Sequence, residues 1–243
     1  MILSMSGHSK WHNIQRQKGA QDAKRAKIFT KYAREMAIAI REGGADPQHN
    51  AKLAAAIARA KSENVPNDNI NRTLQKYQGG AKAESYEYAT YEGYGPQGIA
   101  VIVDALTDNR TRTVAEVRHY FDKYGGNMGA TGCVAWQFDK KGVLILEAEG
   151  RDEDETMMQV LEAGAEDFAR EGEVFEIYTP EADFEAVRDA LQAQGYIFLE
   201  AQIERVPQNY TALTDETDIK NMTKMLEMME QNDDVQNVWH NWE

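Results

Sequence analysis

Cysteine is nearly absent from this chain of 243 residues, Cys133 being its single example. An intrachain disulfide and a cysteine zinc cluster are thereby excluded, and a reducing, cytoplasmic setting fits. No apolar run approaches the ~20 residues that a membrane span requires. The opening, MILSMSGHSK, lacks the apolar stretch of a secretory signal, and Met5 stands as an alternative start to Met1. Motifs of catalysis are missing too. GYGPQG and GGNMGATG are rich in glycine, but neither fits the dinucleotide fingerprint. No Gly-Lys-Ser/Thr follows to make a phosphate loop, so both read as turns. His8 and His12 share helical spacing without a third ligand, so no metal site is expected. Cys133 lies in a strand-like run without a readable His–Asp partnership and reads as a small buried residue. With no cofactor motif and no convergent set of titratable groups, the chain reads as non-enzymatic.

Acids are missing where bases are dense. Residues 8–34, HSKWHNIQRQKGAQDAKRAKIFTKYAR, hold eight Lys or Arg and one acid, Asp22; residues 8–21 hold no acid at all. Residues 1–80 carry 14 basic and 6 acidic side chains, a net of +8, and residues 81–243 carry 13 and 34, a net of −21. The sum is the −13 of the whole chain. Such polarity predicts one end that faces a polyanion, because Lys and Arg displace the counterions condensed on nucleic-acid phosphates. Solvated charge on both halves is the plainer alternative.

Residues 22–42 read as a helix. Phe29, Ala33, Met36 and Ile40 recur at spacings of four, three and four and make one apolar stripe. Lys24, Lys27, Lys31, Arg34 and Arg41 fall on the opposite side. Gly43-Gly44 stops this helix, and Asp46-Pro47 is read as the start of a second, with Asp46 as N-cap. A third follows Val65-Pro66-Asn67-Asp68 and ends at Gly79-Gly80. Lys10, Trp11, Arg16 and Lys18 on the preceding arm, with Lys24, Arg25, Lys27, Lys31 and Arg34 on the helix, are the candidate nucleic-acid-binding residues. Trp11 could stack on unpaired bases or pack against its own bundle.

Beyond residue 80 strands alternate with helices. Residues 86–91 and 99–106 read as strands, and Asn109 caps a helix to Tyr124 with Val114, Val117 and Phe121 inward. CVAWQF, a DKKG turn and VLILEA read as a hairpin, followed by a helix at 153–170, strand EVFEIYT, a helix from Asp183 to Gln194 and strand YIFLEAQIERV. NYTALT, a helix at 216–231 and VQNVWHNW close the chain. The expected fold is α+β: an N-terminal three-helix bundle followed by two ferredoxin-like α+β domains, the third domain inserted in the second. Its parts are a basic arm (1–21), the bundle (22–80), an α+β domain from 81–132 plus 207–243, and an inserted α+β domain (133–206). One continuous mixed sheet is the alternative.

Arg110 and Arg112 begin a helix, where a cation is disfavoured by the dipole; they are candidates for anion contact or for pairing with Asp104, Asp108 and Glu116. The acidic runs at 152–155 and 233–234 read as solvated helix starts, and the methionines of MTKMLEMMEQ as core or interface.

GHSKWHNIQRQKGAQDAKRAKIFTKYARE resembles the opening of the YebC/PmpR family. DPQHNAKLAAAIARAKSENVPNDNI, TDNRTRTVAEVRHYFDKYGGNMG, GCVAWQFDKKG and EAGAED continue the match in order across nearly the whole chain from Met5. Cys133 stands where Ser is common and Gln137 where Met is common, and Asn-Arg-Thr-Arg at 109–112 keeps both arginines of the frequent Asn-Arg-Asn-Arg. The resemblance implies a cytoplasmic three-domain protein of a family described as DNA-binding transcriptional regulators. Its mitochondrial branch, and other descriptions of bacterial members, imply instead a translation factor that binds ribosomal RNA and helps the ribosome through proline-rich stretches. Either way the expected partner is nucleic acid, with no membrane and a monomeric chain. A helix-turn-helix with base-reading residues is not evident, and a long basic arm suits RNA.

Overall fold

The computed structural model describes residues 21–62, 64–78 and 85–243. Two compact units emerge among them: Ala20–Ala135 with Leu213–His240, and Trp136–Ala212 with Asn241–Glu243.

The first unit opens with three helices: α1 (Gln21–Gly43), α2 (Ala51–Ser62) and α3 (Asn67–Gln78). Met36, Leu53, Ala56, Ala60 and Ile70 are almost fully buried between them, with Tyr32 and Ile40 alongside. The alanines on α2 let its backbone approach α1 closely. Gly44 ends α1 in the left-handed region at φ 86°, its N–H bonded to Ile40 O at 2.7 Å. The second helix does not start at Asp46. Asp46 instead closes a turn, taking the N–H of Gln48 (2.9 Å) and the ring of His49 (2.7 Å). The cap is Asn50, whose Oδ1 accepts the N–H of Leu53 at 3.0 Å while its Nδ2 donates to Ala39 O and Gly44 O. A buried asparagine thus ties α2 back to α1, which an exposed Asp46 cannot do.

A four-stranded antiparallel sheet follows in the same unit, built from β1 (Glu87–Tyr94), β2 (Ala100–Thr107), β3 (Asn127–Met128) and a last strand, β8 (Val235–His240), in the order β3-β1-β2-β8. Between β2 and β3 runs α4 (Arg110–Lys123), which packs on this sheet beside α7 (Glu216–Gln231). Met222, Met225 and Met229 of α7 are buried. A Cβ on Gly95 would lie 2.8 Å from Met222 Sδ, so the glycine lets α7 close over the β1–β2 turn. Leu106 and Tyr86 pack against Ala37 and Ile38 of α1, which joins the bundle to the sheet. Two sequence expectations change here. GGNMGATG is more than a turn, because Asn127–Met128 forms the edge strand. NYTALT is not a strand, and only Thr211 makes an isolated bridge, to Trp242 in the second unit.

The second unit is the segment inserted between β3 and α7. It runs β4 (Phe138–Glu147), α5 (Glu153–Glu162), β5 (Asp167–Glu171), β6 (Val174–Pro180), α6 (Phe184–Ala193) and β7 (Glu200–Pro207), with strand order β5-β6-β4-β7. This is a βαββαβ sandwich, with Leu144, Leu146, Val160, Phe175, Ile177, Val187 and Leu191 in its core. In place of the expected hairpin at 133–148, a 3-10 turn at Ala135–Gln137 leads into one continuous strand, Phe138–Glu147. Gly142 is no turn residue: a Cβ there would collide with Thr179 and with Phe184, the first residue of α6. The expected helix at 153–170 ends at Glu162. Gly164 takes φ 105°, Ala165 N–H returns to Val160 O at 3.0 Å, and the chain leaves as β5. Phe168 therefore meets the Phe175 ring, 4.9 Å away, from a strand.

Candidate nucleic-acid interface

Lys10, Trp11, Arg16 and Lys18 lie outside the described residues. Lys24 and Arg25 fall on the first turns of α1, their side chains outside the described part. The remaining cations of α1 are engaged within their own unit. Lys31 Nζ donates to Gln236 O (3.3 Å) and Asn237 Oδ1 (3.1 Å). Arg34 Nη1 reaches Leu106 O (2.9 Å), Asp233 O (2.7 Å) and Asp234 Oδ1 (2.7 Å), and its guanidinium lies 5.2 Å from the centre of the Tyr86 ring. Lys27 is half-buried, and that burial lowers its pKa to about 8 against the pull of Glu230 and Asp233. The face opposite the apolar stripe of α1 is thus turned towards the connection between α7 and β8.

Asp234 is the centre of this contact. Its side chain is only 4% exposed. Oδ1 takes Arg34; Oδ2 takes Arg112 Nη2 at 2.7 Å and has the hydroxyl of Thr113 at 2.7 Å. Burial works to raise the pKa of Asp234, but the hydrogen bonds from Arg112, Thr113 and Arg34 outweigh it and hold the value at about 2. Arg112 is shared, its Nη2 lying 2.8 Å from Asp108 Oδ1, and its side chain stays 43% exposed. The reading of Asp233-Asp234 as a solvated helix start changes accordingly: the pair follows the C-terminal end of α7, and Asp234 is buried between two arginines. A signal for this was present. An acid pair just past a helix C-terminus sits against the dipole and calls for cations from elsewhere.

What remains outward is α4. Asn109 caps it through the N–H of Arg112 at 3.0 Å, and Val117 and Phe121 anchor its inner face. Arg110 is 61% exposed and stands 3.9 Å from Glu87, beyond hydrogen-bonding range. Arg118, His119 and Lys123 are exposed further along. Arg118 and Lys123 are binding candidates that only the fold brings forward, although Arg112, His119 and Lys123 recur at seven and four, the outward period of this helix. Exposed cations on a rigid helix can meet phosphates. Among the described residues no group of three or more His, Cys, Asp or Glu is placed to hold a metal ion, and no helix is long and apolar enough to cross a membrane.

Fold and surface together define an α+β protein in which a helical bundle is locked to an antiparallel sandwich and a second sandwich is inserted before its last strand. Residues 9–80 match the family domain described as "TACO1/YebC protein N-terminal domain", and residues 86–242 match "TACO1/YebC second and third domain". The chain belongs to the TACO1/YebC family. It is similar to proteins named "Probable transcriptional regulatory protein" from Acetivibrio thermocellus, 53% identical with 98% of this chain and 99% of the relative covered, and from Finegoldia magna, 50% identical with 98% and 99% covered. Its fold is similar to the crystal structure of a conserved hypothetical protein from Aquifex aeolicus, with a TM-score of 0.82, 41% identity and 97% of each chain covered.

Proposed function

We propose that this chain is a cytoplasmic, non-enzymatic nucleic-acid-binding regulator of gene expression, acting on DNA in transcription as a monomer. The carrying observation is the charge arrangement. Residues 8–34, with eight Lys or Arg against the single acid Asp22, precede and enter α1, and Arg110, Arg118 and Lys123 stand exposed on α4 within a chain of net charge −13. The relatives' name supports the regulatory role. Phosphate contacts supply affinity, and the acidic remainder is repelled by the same polyanion, which orients the encounter.

A second reading is favoured by one feature. The cations are spread along residues 8–34 of the sequence and on α4 rather than on one helix that reads base edges, which suits recognition of RNA by shape and phosphate. In that reading the partner is ribosomal RNA and the protein aids elongation through proline-rich stretches. Sedimentation of cell lysate at low and high salt, with in-cell crosslinking read by sequencing, separates the two. Crosslinks clustered at promoter DNA, off ribosomes, support transcription. Cosedimentation with ribosomes and crosslinks in one ribosomal RNA region support translation. Crosslinks to neither sink both.

A further inference from the structure

Odd-numbered positions of β1 face α4, since a Cβ on Gly93 would lie 3.0 Å from the Phe121 ring. Tyr91 points the same way. It is 7% exposed, and its hydroxyl is buried with no hydrogen-bond partner. A buried hydroxyl left unpaired costs free energy, so an unpaired one in a folded protein calls for an explanation. Burial also keeps this phenol protonated, so it remains a donor.

Tyr91 lines a cleft of about 430 Å³ whose other walls are the first turn of α4 and the loop after β3. Donors converge there. The N–H groups of Arg110 and Thr111 have no acceptor within the helix, because the cap Asn109 serves Arg112 and Thr113 instead. The positive end of the helix dipole faces the same space, and Arg110 adds a full charge where a cation is disfavoured unless an anion compensates. Glu92 also lines the cleft, but its carboxylate is spent. It accepts the N–H groups of Gly132 (2.7 Å), Val134 (3.0 Å) and Ala135 (2.8 Å) and so fixes the loop beside the cleft. Val114 and Met128 supply an apolar wall.

We infer that this cleft binds a phosphate group, taken by the Tyr91 hydroxyl, the Arg110 guanidinium and the first-turn amides of α4. The group belongs either to a free phosphoester such as a nucleotide or to a nucleic-acid strand. The inference stands apart from the reading above, since a free phosphoester would occupy the cleft in a protein that binds no strand.

The test is amide NMR of the full chain titrated with inorganic phosphate, AMP and a short single-stranded oligonucleotide, repeated with Tyr91→Phe and Arg110→Gln. The amides of Arg110, Thr111 and Gly129 should shift, and each substitution should weaken binding about tenfold, the loss expected for one hydrogen bond to a charged group. Tyr91→Phe should leave the melting temperature unchanged or raise it, because it deletes an unpaired buried hydroxyl. Tighter saturation by AMP than by the oligonucleotide assigns the cleft to free phosphoesters; the reverse order assigns it to a strand. Silence of these amides with all three probes overturns the inference. So does a wild-type affinity retained in both variants. Should Tyr91→Phe fail to fold, Arg110→Gln decides alone.

Discussion

At the scale of single residues, Asp234 ties α1 and the start of α4 to the connection between α7 and β8. It is a buried carboxylate between two guanidinium groups, so removing its charge leaves Arg34, 14% exposed, without a counterion. Asp234→Asn should destabilise the protein by about 3 kcal/mol, the cost typical of breaking a buried pair from one side. The pH dependence has a definite sign. A carboxylate held at about 2 instead of the ordinary 3.8 contributes stability that is present above 3.8 and lost as pH falls towards 2. Denaturant titrations of wild type and variant should therefore converge across that window, and a gap that stays constant would refute the assignment. Sequence reading could place Arg34 on the polar face of α1, because periodicity reports which side is not core. It could not report that this side is covered, because the covering carboxylate is 200 residues away in the chain. The misplaced N-cap has the same origin. Asp46 has good local cap chemistry, while Asn50 wins through bonds to Ala39 and Gly44 that only the folded bundle provides.

At the scale of elements, the apolar periods of α1, α4 and α7 located the helices, and glycines produced the errors. Gly142, in a Lys-Lys-Gly run, has the composition of a turn but the position of a close approach beneath Phe184. Gly142→Ala should cost about 2 kcal/mol by overpacking, read as a lowered denaturation midpoint with an unchanged slope; a neutral outcome would mean that Phe184 moves aside without penalty. Gly164 was hidden inside a helical pattern whose real end it makes. Arg118→Ala with Lys123→Ala spares the Asp234 network and should reduce the salt slope of duplex DNA binding by up to about 0.9 for each phosphate that is no longer neutralised. An unchanged slope, measured by fluorescence anisotropy over a salt series, removes α4 from the interface.

At the scale of the molecule, the α+β class and the insertion were legible because strand-like and helix-like segments alternate on both sides of residues 133–206. The connectivity inside that insertion was not, since a strand carrying Lys140 and Lys141 reads locally as a turn. We propose that 133–206 is a domain in its own right. Replacing residues 134–205 by a short Gly-Ser linker should leave a cooperatively folding remainder that keeps the β3-β1-β2-β8 sheet, followed by circular dichroism and calorimetry. Loss of cooperative unfolding would favour a single indivisible body.

The pairing of β2 with β8 and of Arg34 with Asp234 also fixes an order of events during synthesis. Arg34 leaves the ribosome 200 residues before its counterion, which at about 5–20 residues per second is a delay of about 10 to 40 s. Through that interval the α1 cations are uncompensated and one edge of β2 is open, on a strand whose residues are almost all buried in the finished sheet. Residues 235–240 are therefore the fastening of the first unit. A chain cut short before Glu230 should emerge as a sticky fragment that has lost both Asp234 and β8, with uncompensated α1 cations and the exposed apolar strand edge that recruits other chains.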